Sequence, residues 1–182
     1  MILVIRFIGV LNAAIWLGAS VFFLYAAGGT FFSPEVRALP VHPFWVGVLA
    51  QRLIEKLFLL HITCSAVALV HMFAEWVYLG RALHRLVLGL LGGLFLVGLI
   101  SELVMLPRMK ELHHRYYSMN ADYKAVRISD AERIEAHNSF KRWHGVAMGG
   151  NLVVLCVLIF YFWRVTYPPD NLRFVGATKF RS

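Results

Sequence analysis

Charge is what this sequence goes without for long stretches. Leu57–Ala74, Leu86–Ser101 and Trp143–Trp163 contain no Asp, Glu, Lys or Arg, and Ile2–Ala27 contains only Arg6. With its flanks, each run approaches the ~20 helical residues that cross a ~30 Å hydrocarbon layer. Cysteine is scarce too. Cys64 and Cys156 are the only two and both fall inside apolar runs, which excludes a disulfide framework or a Cys-x2-Cys metal knuckle. Both are expected to be small buried hydrophobes. No phosphate-binding glycine loop and no nucleophile motif occurs, so no recognisable enzyme chemistry is on offer.

What is present fits lipid. Hydrophobic residues make up 59% and charged residues 15%, against about 45–50% and about 25% in soluble domains. The net charge of +8 is spread over helix ends and loops rather than gathered in one stripe. Nucleic acid is therefore not the expected partner, and anionic lipid headgroups are the expected counterions. One arginine precedes the first run, and no cleavage site stands out before Gly28-Gly29, so the first span is expected to be retained. The expected fold is all-α: an integral membrane bundle of four transmembrane helices, with spans near 2–27, 52–79, 82–106 and 143–166. A bacterial inner membrane is the expected location.

Punctuation sets the connections. Gly28-Gly29, Pro34, Pro40 and Pro43 mark residues 28–44 as a loop, and Gly80 is the only breaker between the second and third helices. Met105, Met109, Leu112, Tyr116, Met119 and Tyr123 recur at heptad spacing, so the third helix is expected to run past Pro107 with a kink. Ser129 and Glu132 have capping-box spacing, which starts the fourth helix near Asp130 and carries it to Tyr167, ~57 Å of rod. Residues 107–142 are thus expected to project into water as an antiparallel hairpin of roughly five turns per arm. The tail, 168–182, is polar and basic. Eleven Lys and Arg on the hairpin face against seven on the terminal face favour a cytoplasmic hairpin.

Small-x3-small pairs, Ala14/Gly18, Gly89/Gly93 and Gly145/Gly149, are expected to be helix contacts. Intramembrane polar residues are the candidate functional ones. Counting 1.5 Å per residue places His61, Glu102 and Asn151 within roughly 7–12 Å of the hairpin-side interface, with His144 shallower. His137, His144 and Asn151 recur every seven residues on one helix face. Three readings follow. Haem b would use His61 and His144, with Asn151 beside them, but those two histidines differ in depth by about 10 Å. A metal ion would use His61, Glu102 and His144 if the helices bring them together. Otherwise these groups hydrogen-bond across helices and fix the register, and no cofactor is expected. Asn12 and His71 come out at similar depth on the opposite side, while the adjacent His113 and His114 face different ways and make a poor chelate.

Trp16-Leu17-Gly18 before a Phe-rich exit, Leu106-Pro107-Arg108-Met109, and Phe140-x3-His144-x6-Asn151 together resemble the DUF4149 family, which includes the TMEM205-like membrane proteins. The resemblance implies a four-helix membrane topology and no established reaction. It also implies a shared structural or binding role for His144 and Asn151, with Trp143 departing from the family's usual Leu. A looser similarity through Trp-Leu-Gly to CopD- and HemJ-type haem membrane proteins lacks the first-helix histidine of those families. The expected role is non-catalytic: an accessory or assembly subunit that contacts other membrane-protein subunits, with a haem- or metal-binding redox or transport role as the alternative.

Overall fold

The computed structural model describes residues 2–31, 33–80 and 83–167. Helix α1 begins as Ile2–Phe22, loosens into a π-type turn at Phe23–Ala27 and continues through Gly28–Phe31. A single turn, Pro34–Arg37, leads to α2, Pro43–Leu79. Helix α3 joins Arg85–Ile100, a π-type segment Ser101–Met105 and Leu106–Tyr116, and α4 is Asp130–Thr166. Each rod is long and apolar enough to cross a membrane. The chain is an all-helical integral membrane protein.

Local chemistry moves several boundaries from their expected places. Gly28 and Gly29 do not end α1, because Gly28 takes ordinary helical angles and glycine permits left-handed geometry without imposing it. Helix α2 starts at Pro43, ahead of the expected span, since proline suits a first helical turn and His42 Nδ1 accepts the Phe44 amide at 3.3 Å. Its other end is closed by Gly80 at φ 61°, a left-handed cap. Pro107 is carried through directly after the π-type segment, where the regular bonding ladder is already interrupted.

The heptad seam stops early. Tyr116 ends α3, and Met119 and Tyr123 lie in the connection to α4. Ser118 and Tyr123 have φ of 56° and 60°, and the Asn120 side-chain oxygen accepts the amides of Asp122 and Lys124, so local side-chain bonding replaces the helix. The capping box at α4 is as expected, with Ser129 Oγ accepting the Glu132 amide and the Glu132 carboxylate accepting the Ser129 amide. The basic tail lies outside the described residues.

Helix α1 packs between α2 and α4, and α2 also packs along α3. Helices α3 and α4 meet mainly through Leu106–Tyr116, antiparallel, as the pairs Tyr116–His137 and His113–Phe140 require. The first turns of α2 join them: Phe44, fully buried, stacks on His113 with centroids 5.1 Å apart, and Lys110 pairs with Glu55 at 2.8 Å. The core proper is Ala13, Trp16, Cys64, Ala68, Leu91, Leu94, Val154, Leu158 and Tyr161.

The small-residue pairs do not face neighbouring helices within the chain. A Cβ at Gly18, Gly89, Gly93, Gly145 or Gly149 would meet nothing within 4 Å. Close approach occurs instead at Gly9 under the His71 ring, Gly47 under the His113 ring and Gly98 against Ile62. Cys64 is buried as expected, but Cys156 is exposed on the outer face of α4, which corrects the expectation for that thiol.

Candidate functional site

Polar side chains converge where α1, α2 and α4 meet. Asn12 and Trp16 are four residues apart, one turn, so both sit on the same face of α1. Asn12 Nδ2 donates to the Cys64 carbonyl at 3.0 Å, and Trp16 Nε1 donates to His61 Nδ1 at 2.6 Å. The Trp16 ring also meets His61 and Tyr161 edge-on, at centroid distances of 5.9 and 6.3 Å. Ser20 and Ser65 return their hydroxyls to the Trp16 and His61 carbonyls, leaving their helices self-satisfied. The buried Tyr161 hydroxyl lies toward Asn12 without completing a hydrogen bond.

The Trp16 bond decides what His61 can do. Because Nδ1 accepts, the neutral imidazole carries its proton on Nε2. Ligation of iron or zinc through Nδ1 would therefore require the Trp16 bond to break. Glu102 stands on the π-type segment of α3, with Oε2 buried and unpartnered. His144 is half-buried and stacked parallel on Phe140, and Asn151 is half-buried farther along α4. Among the described residues no three His, Cys, Asp or Glu side chains are arranged to hold a metal ion, so His61, Glu102 and His144 are not gathered into one donor set.

The remaining histidines separate as well. His71, opposite Gly9, has a buried Nε2 with no partner and lines an apolar cleft of about 310 Å³ with Ile5, Ile8, Val67 and Val70. His113 and His114 do diverge, as expected: His113 is buried over Gly47, while His114 Nδ1 lies 2.7 Å from the Asn120 carbonyl. Sequence reasoning missed Trp16 as the partner of His61 and Phe44 as the centre of the His113 cluster. The signal for Trp16 was present, since an indole buried in an apolar span needs an acceptor for its N–H.

These features define a four-span helical membrane protein in which Asn12 and the Trp16–His61 pair tie α1 to α2. The chain belongs to the family described as Domain of unknown function (DUF4149), which matches residues 11–118. That stretch contains Asn12, Trp16 and His61 with the Leu106-Pro107-Arg108-Met109 segment, and it ends before His144 and Asn151. No curated protein and no solved structure matches the chain.

Proposed function

We propose that this protein is a non-catalytic accessory or assembly subunit of a larger membrane complex. One observation carries the reading: the glycines of α3 and α4 that favour close helix packing face outward, with open space over Gly89, Gly93, Gly145 and Gly149. Glycine inside a helix costs about 1 kcal/mol relative to Ala, and in lipid its advantage is close backbone approach by another helix. Partner helices from other subunits are the natural occupants of those faces. The α3–α4 hairpin, joined by the start of α2, serves in this reading as an aqueous contact on the cytoplasmic side of a bacterial inner membrane, following the excess of Lys and Arg there.

The test is the mass of the protein released gently from its own membranes. Native electrophoresis followed by subunit identification is expected to find it with other membrane proteins, in a Gly149-dependent manner. A lone monomer or a simple homodimer would overturn the reading.

A further inference from the structure

We propose that Lys141 and Arg142 hold the phosphate of an anionic phospholipid at the aqueous end of the lipid-crossing part of α4. Both are exposed, and among the described residues neither makes an ion pair. The acidic groups nearby in sequence have other positions or partners. Asp130 pairs with Arg133 at 3.1 Å, Glu132 is engaged by Ser129, Glu111 holds Arg108 and Arg115, and Glu135 lies seven residues, about 10 Å, before Arg142.

Depth fixes the chemistry of the occupant. After Arg142 the next Asp, Glu, Lys or Arg on α4 is Arg164, and residues 143–163 span about 32 Å, one hydrocarbon thickness. Lys141 and Arg142 therefore stand at the level of headgroup phosphates. Asn138 lies three residues before Lys141 and four before Arg142, so this exposed amide neighbours both cations, which stand on either side of it around the helix. Asn138 adds an exposed amide donor on the aqueous side of the cations. A guanidinium and an ammonium flanking the Asn138 amide, each on a long flexible stem, fit a phosphodiester carrying an uncompensated charge. The proposal does not rest on the accessory-subunit reading, because the headgroup is held at Asn138, Lys141 and Arg142, ahead of the Gly145–Gly149 face.

The full chain would be purified in mild detergent, exchanged into nanodiscs of phosphatidylcholine with graded phosphatidylglycerol, and its retained lipids counted by native mass spectrometry. Wild type is expected to retain phosphatidylglycerol selectively. The double substitution Lys141→Gln/Arg142→Gln is expected to reduce that preference by about 30-fold, from two near-surface cations. The loop pair Lys124→Gln/Arg127→Gln, equal in charge, is expected to leave it intact, and inorganic phosphate is expected not to compete. No preference in wild type, an undiminished preference in the α4 variant, an equal loss in the loop variant, or displacement by inorganic phosphate would each overturn the proposal.

Discussion

The Trp16–His61 bond is the tie whose removal should be felt most, and a double-mutant cycle isolates it. Trp16→Phe keeps an aromatic ring in the core but deletes the N–H, leaving His61 Nδ1 without its donor. His61→Leu deletes the acceptor and leaves a fully buried indole N–H orphaned. Each single substitution is expected to cost about 1–3 kcal/mol, the usual penalty for a buried polar group left unpaired. The double variant removes both partners at once, so its cost should fall short of the sum. Coupling between helices in lipid averages about 0.6 kcal/mol and reaches about 1.7. A 2.6 Å bond between two side chains at most 6% exposed belongs in the upper half of that range. Reversible unfolding in dodecylmaltoside–SDS micelles, followed by circular dichroism, measures all four corners. Additivity within about 0.3 kcal/mol would refute the bond's role, because independent sites behave that way.

Glycine substitutions should sort by what lies over them. Gly47→Ala drives a methyl into the His113 ring and is expected to destabilise by about 1–3 kcal/mol, whereas Gly149→Ala, with open space above it, is expected to be neutral or stabilising by up to about 1 kcal/mol; thermal unfolding of the two variants side by side checks both signs. Ser129→Ala removes one half of the α4 capping box and should cost about 1 kcal/mol, read as lost stability and faster amide exchange confined to the first turns of α4. In detergent, a small membrane-permeant maleimide should label Cys156, on the outer face of α4, faster than Cys64, which is buried between helices, a contrast that peptide mass analysis reads directly and that equal labelling would contradict.

The large architecture was legible because it is written in uninterrupted apolar length, which needs no knowledge of neighbours. Three uncharged runs and one holding only Arg6 became four rods, and the Ser129–Glu132 spacing became a capping box, since both depend on residues close in sequence. The seam through Met119 and Tyr123 failed where a short-range competitor was stronger: the Asn120 side chain bonds the Asp122 and Lys124 amides, and the chain turns before the heptad can continue. Small-residue spacing failed for a different reason. Gly145-x3-Gly149 says that a backbone can be approached, but which helix approaches it depends on rotation about the axis, and that is set by Trp16, Leu158 and Tyr161 filling the interior.

The candidate site illustrates the same limit from the side of chemistry. Depth counting put His61, Glu102 and Asn151 at similar levels, yet equal depth is one coordinate of three. The missing one is rotation, and for His61 it is decided by an indole on α1 rather than by a carboxylate on α3. Because Nδ1 accepts from Trp16, the imidazole ties α1 to α2 through that nitrogen. That assignment has a direct spectroscopic consequence. In 15N-labelled protein the His61 ring should appear as the neutral Nε2–H tautomer, and Trp16→Phe should shift its Nδ1 resonance while His71 and His113 stay in place. An Nδ1–H tautomer in the wild-type chain would mean that Trp16 does not donate there, and the tie between α1 and α2 would fall with it.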